Sequence, residues 1–170
     1  MIDRRLFLGT AIAASALPFP ANSKATVMNK RFKQFSAVID AWKRKDKDFI
    51  INSMTDDIVW HFAAAIAPPA RGKAECRAFI DKFGAGIGAV RWRIFEHAET
   101  ADRLFVEGVD EYDSTDGHTI KAPYAGVIEF RGDLISGWRD YVDRGVIDAQ
   151  KRGEAASAQV NELTARPAAQ

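Results

Sequence analysis

The chain has 170 residues, 47% of them hydrophobic and 28% charged, the size and balance of one globular domain with a substantial core. Lysine plus arginine number 24 and aspartate plus glutamate 23, a net charge of +1, so there is no global basic field for nucleic acid or an anionic membrane. Cys76 is the only cysteine; an intramolecular disulfide and a multi-cysteine zinc site are both excluded, and in a predicted helix it reads as a small buried hydrophobe.

Residues 1–25 read as an export signal and are set apart from the fold. Asp3-Arg4-Arg5-Leu6-Phe7-Leu8-Gly9 resembles the twin-arginine motif of bacterial Tat signals. The apolar run from Leu6 to Leu17 is too short to span a bilayer as a helix, and Ser23-Lys24-Ala25 supplies the small residues of a cleavage site. The expectation is a mature domain over 26–152 that works in the periplasm or outside the cell, free of the membrane once the signal is removed.

The mature chain opens on Lys30 to Lys43, where Phe32, Phe35, Val38, Ile39 and Trp42 recur at helical spacing. Asp46 caps a short second helix reaching Ser53, with Phe49 and Ile50 on its apolar side. Asp57 to Phe62 reads as a strand in which Ile58, Trp60 and Phe62 share a face. Ala63 to Ala70 is a loop broken by Pro68-Pro69. A third helix runs from Gly72 to about Phe83 with Ala74, Ala78 and Phe79 inward, and the Gly84–Gly88 segment ends it.

The period then switches to two. Val90 to Ala98 and Arg103 to Tyr112 are strands, Asp116-Gly117 is a hairpin turn, and Thr119 to Phe130 leads through the Arg131-Gly132-Asp133 turn to Leu134–Asp143. Val146 to Arg152 reads as a closing helix. The Ala-rich, polar tail over 153–170 is expected to be poorly ordered. Helices gathered before an antiparallel meander argue an α+β fold, a curved sheet forming a cone covered by helices, whose interior is a small-molecule pocket.

Strand parity puts carboxylates in that interior. Trp138, Asp140 and Val142 share a face, as do Leu104, Val106, Gly108, Asp110 and Tyr112. An ionised aspartate does not sit among apolar neighbours without a partner or a chemical use, because desolvation disfavours its charge. The plain alternative is that Asp140 pairs with a basic residue such as Arg93 and that Asp110 lies at a frayed strand end.

Asp57-Ile58-Val59-Trp60-His61, Ala70-Arg71-Gly72-Lys73, Val106-Glu107-Gly108-Val109-Asp110 and the most specific block, Gly137-Trp138-Arg139-Asp140-Tyr141-Val142-Asp143, resemble the nuclear transport factor 2-like superfamily. Within it the chain is similar to the SnoaL-like and limonene-1,2-epoxide hydrolase-like branch, over roughly residues 29 to 147. The resemblance implies cofactor-free acid–base chemistry. It places Asp110 and Asp140 at the two catalytic aspartates of the epoxide hydrolases. The arginine that bridges those aspartates is Gly108 here, the water-holding tyrosine is Trp60, and the asparagine is Phe62. Without the arginine, two close carboxylates cannot both ionise cheaply.

Parity adds Trp42, Trp60 and Phe62 to the pocket wall, with Tyr112, Ala122, Tyr124 and Val142. The expected catalytic set is Asp140 as base, Asp110 as acid or orienting partner, and Tyr112 or Tyr124 polarising a substrate oxygen. The expected ligand is a small apolar cyclic or aromatic molecule held by the wall. His61 is a further substrate-binding candidate because some superfamily dehydratases use histidine, although parity points it outward. His61, His97 and His118 are scattered and make no metal site. A carrier of small molecules with the same fold is the rival reading. Phe105, Val109, Val127 and Ile135 alternate outward and form the expected homodimer face.

Overall fold

A computed structural model describes residues 29–169; the Tat-type signal lies outside the described residues. Helix α1 (Lys30–Arg44) buries the whole stripe of Phe32, Phe35, Val38, Ile39 and Trp42. Helix α2 (Lys47–Asn52) starts at Asp46, whose carboxylate accepts the Phe49 N–H at 3.0 Å. It buries Ile50 and Ile51, leaving Phe49 exposed. Strand β1 (Met54–His61) and the two-residue β2 (Ala70–Arg71) follow, then α3 (Gly72–Ala85). The inward face of α3 is Cys76 and Ile80, with Phe79 partly buried; Ala74 and Ala78 fall outside it, one helical step away from the predicted face.

The rest of the sheet is β3 (Ile87–Val90), β4 (Arg93–Glu99), β5 (Arg103–Ser114), β6 (Thr119–Arg131) and β7 (Leu134–Val142). Val90 to Ala98 is thus two strands broken at Arg91-Trp92, and the break turns Trp92 into the core. Strand order is β2-β1-β7-β6-β5-β3, with β4 also on β5. All neighbours are antiparallel except β1 and β7, which run parallel, Trp60 opposite Trp138. This pairing joins distant segments and brings the two tryptophan-bearing strands together. The protein has the α+β cone architecture, a strongly curled half-barrel sheet with helices against it. Phe35 of α1 packs edge-on against both Trp92 and Trp138 inside the curl.

A bulge resets strand parity on β7. The β6–β7 register shifts beyond Glu129, so that Phe130 faces Ile135. One extra residue on β7 turns Ile135 into the main core. The expected homodimer face is therefore reduced: Ile135 is core, Val109 is fully buried, Val127 is half-buried, and only Phe105 is exposed.

The closing helix is α4 (Arg144–Lys151), and the tail beyond it is ordered, contrary to expectation. Helix α5 (Ala158–Thr164) is capped by Ser157, which accepts the Val160 N–H, and buries Val160 and Thr164. The tail lies across the outer sheet face. Arg93 donates to the Thr164 carbonyl, Lys121 to Asn161, and Arg166 pairs with Glu107 while stacking over Phe95. The sheet supplies the partners that the tail's own composition lacks.

Candidate active site

The open end of the curl encloses a cavity of about 220 Å³ between β1, α3, β5, β6, β7 and α4. Its walls are apolar and mostly aromatic. Trp60 stacks on Trp138 at 4.6 Å, and Phe62 stacks on Phe79 at 4.0 Å. Trp42, Trp60, Phe62, Ala122 and Val142 line the cavity as parity predicted. His61 does not: it lies one residue off the inward face of β1, half-buried and outside the cavity lining.

Asp110, Asp140, Tyr112 and Tyr124 all reach the same cavity. Neither plain alternative for the aspartates holds. Arg93 pairs with Glu111 instead of Asp140, and Asp110 sits within a continuous β5–β6 ladder opposite Ala122. Asp140 is held by two indoles: Trp138 Nε1 donates at 2.8 Å to one carboxylate oxygen and Trp60 Nε1 at 3.3 Å to the other. Among the described residues no cation pairs with Asp110 or Asp140, and no hydrogen bond to the Asp110 side chain is formed. Burial pushes the carboxyl of Asp110 up to about 7. Burial likewise pushes Asp140 up to about 7; the two indole N–H groups oppose this, and the charge of Asp110 adds to it. Asp140 therefore has donors that favour its anion and Asp110 has none, so of the two Asp110 is the more readily protonated.

Glycines make the room. A Cβ at Gly126 would lie 2.9 Å from Val106 and 3.3 Å from Asp140 Oδ1, so a larger residue there would crowd Val106 and press on the Asp140 carboxylate. At Gly108 a Cβ would collide with the Arg93 carbonyl oxygen, where β4 bulges between Ile94 and Glu96. Gly108, which the resemblance sets at the bridging-arginine position, is thus closed to any side chain unless β4 moves.

The phenols stay protonated. Tyr124 accepts the Trp92 indole N–H at 2.6 Å, which leaves its own hydroxyl proton free to be donated. Burial first, then the charges of Asp140 and Asp110, raise its pKa well above that of free tyrosine. Tyr112 is pushed up to about 12, mainly by burial. The Trp42 indole N–H is buried with no partner among the described residues. Cys76 is fully buried with its thiol pushed up to about 11 by desolvation, which removes it as a nucleophile. No group of three or more His, Cys, Asp or Glu with metal-binding geometry occurs among the described residues.

Some lining residues were not legible in the sequence. Trp92 was hidden by the strand break. Arg144, Ile147 and Lys151 come from α4, and their helical spacing (i, i+3, i+7) was the only available signal.

The fold has many solved counterparts. An LEH-like epoxide hydrolase of M. tuberculosis is 19% identical, with a TM-score of 0.64 over 74% of this chain and 92% of that one. A Shewanella denitrificans protein provisionally named a SnoaL-like polyketide cyclase is 13% identical, with a TM-score of 0.67 over 75% and 99%. A Catenulispora acidiphila protein with a ketosteroid isomerase-like fold, solved with trimethylamine, is 21% identical, with a TM-score of 0.64 over 73% and 95%. At these identities the likeness establishes the fold alone. Comparison with curated proteins gives no match. The SnoaL-like domain model matches residues 35–138, more than half the chain. That span reaches from the first core helix to the tryptophan that holds Asp140, and the chain belongs to the SnoaL-like family of the nuclear transport factor 2-like superfamily.

Proposed function

We propose that the protein is an exported, cofactor-free enzyme that moves protons on a small apolar cyclic or aromatic molecule, with Asp140 as general base. The observation that carries this reading is the Asp140 carboxylate, set in an aromatic cavity and held by two indole N–H groups without a countercharge among the described residues. A base of this kind works near neutral pH because its pKa lies close to the operating range. Asp110, which lacks donors, returns the proton as the acid. The free Tyr124 hydroxyl proton supports the oxygen on which negative charge develops.

The departures from the hydrolase pattern favour lyase, isomerase or dehydratase chemistry over water addition. Trp60 and Phe62 offer apolar surface where a nucleophilic water would need ligands, and the Trp60 N–H is already committed to Asp140. Proton abstraction from the substrate itself needs no ordered water.

Deuterium exchange at the acidic carbon of 2-tetralone, followed by NMR in D2O, tests the base without knowledge of the natural substrate. The expected result is exchange above the buffer rate, rising through a pH near 7, and abolished in Asp140→Asn while the circular dichroism spectrum is kept. Equal exchange by Asp140→Asn sinks the proposal. Aspartate carboxyls titrating near ~4, with ligand bound and unchanged, favour the small-molecule carrier. Hydrolysis of indene oxide without tetralone exchange moves the chemistry to water activation.

A further inference from the structure

The cavity is electrically lopsided. Its depth holds the two carboxyl groups, and its rim holds Lys151 and Arg144, both from α4, the arginine ion-paired through Nε with Asp148 Oδ1 at 2.8 Å. Asp143 sets the phase of this helix by accepting the Val146 N–H at 3.1 Å. Residues 144, 147 and 151 then fall on one face, and Arg144, Ile147 and Lys151 all line the cavity. Arg144 gives its Nε to Asp148 at 2.9 Å, which leaves both terminal N–H₂ groups without a partner among the described residues. Lys151 enters no ion pair among the described residues, and both side chains belong to exposed residues. The Arg144 charge reaches the Tyr112 phenol inside the cavity, so the rim is not remote from the site.

Between rim and depth the wall is aromatic. A matching ligand has an anionic head, a flat apolar body, and its reactive atoms at the far end from the charge. The volume agrees: about 220 Å³ corresponds to roughly seven waters at about 30 Å³ each, room for one or two rings with a short substituent. An ammonium ligand is the obvious competitor, since aromatic faces and carboxylates both attract cations. It would have to enter past Arg144 and Lys151, and at the bottom it would meet two carboxyl groups that burial disposes to hold their protons. Arginine presents a planar fork that matches a carboxylate.

We propose that the substrate is an aromatic or alicyclic carboxylic acid whose carboxylate is held at the cavity rim by Arg144 and Lys151 while its ring lies among the aromatic walls. This inference rests on the reading of the cavity as a substrate site and adds the headgroup to it. Helix α4 then fixes how deep the ring sits, and so which carbon or oxygen reaches Asp140.

Calorimetric titration of the full chain with three probes of one shape tests it: 2-naphthoate, 2-naphthamide and 2-naphthylmethylammonium. The expected result is at least tenfold tighter binding of the naphthoate than of the amide, weaker binding still of the ammonium, and a preference that shrinks with added salt. In Arg144→Gln/Lys151→Gln the naphthoate falls to the affinity of the amide. Amide or ammonium binding as tight as the carboxylate overturns the headgroup assignment while the cavity remains a ligand site. A double variant that keeps the full preference overturns it equally. Failure of all three probes to bind at millimolar concentration overturns the inference together with the reading beneath it.

Discussion

Strand β5 carries two populations of carboxylate on alternate residues. On the inner face Asp110 has no cation and no hydrogen-bond donor among the described residues, and burial lifts it to about 7. On the outer face Glu111 receives Arg91 at 2.9 Å and Arg93 at 3.0 Å, and Asp113 receives a fork from Arg91 and the Thr119 hydroxyl. Hydrogen bonds from Arg91 and Thr119 hold Asp113 down at about 2. The backbone and the residue type are nearly the same, yet Asp110 and Asp113 lie far apart in pKa. Burial alone does not separate the two faces, because the Glu111 side chain is itself only 13% exposed. The difference is compensation. Every outer carboxylate of β5 has an arginine, including Glu107 with Arg166, and the inner one has none. This contrast in pairing, thorough outside and missing inside, is what supports the proposed acid–base use of the inner pair.

The largest expected effect sets the two faces against each other in one assay. Asp140→Asn lowers proton exchange by about 10²–10⁴-fold, the usual span of a general base, whereas Glu111→Gln leaves the exchange rate within about twofold. A drop of similar size in Glu111→Gln would erase the distinction.

Stability is the next measure. Asp110 has a folded pKa of about 7 against an ordinary value of 3.8. Between those values the folded chain keeps a proton that the unfolded chain releases, so stability falls as pH rises through that window and the penalty is complete above it. Asp110→Asn therefore stabilises the protein at about pH 8, on the order of 2–4 kcal/mol, and hardly at all at about pH 4. Urea melts at the two pH values check this. Glu111→Gln shows the opposite sign: it destabilises by about 1–2 kcal/mol, because two arginines lose a partly buried acceptor.

A smaller effect separates the two inner aspartates. Trp60→Phe removes one of the donors to Asp140, so the inflection of the exchange profile rises by about one pH unit or less; an unmoved inflection would mean that the indole only packs. The smallest effect belongs to Asp113. Its folded pKa is lowered, so its contribution is present above the unfolded value and is lost as pH falls toward about 2. It is exposed and screened, and Asp113→Asn therefore alters the melt only slightly and only above about pH 4.

The inward placement of Asp110, Asp140, Tyr112 and Tyr124 was legible because strand parity is local: side chains alternate whatever the strand packs against. The stripe of α1 was legible for the same reason. Ile135 was misplaced because one extra residue at a bulge reverses parity, and the only local mark of that bulge is Gly137 within the strand. The tail was misjudged because Val160 and Thr164 are buried by the outer sheet face and not by anything nearby in the chain.

By itself, the sequence determined an α+β cone, a family, and two carboxylates facing one interior, since all of these follow from short-range periodicity and motif. Whether those carboxylates had partners was decided only by the tertiary structure. The parallel β1–β7 pairing sets Trp60 beside Trp138 and aims both indoles at Asp140. The β4 bulge closes Gly108 to an arginine, and α4 places Arg144 and Lys151 at the rim. Most of these are contacts between residues far apart in the chain, and their energies depend on burial and distance, which no local pattern encodes.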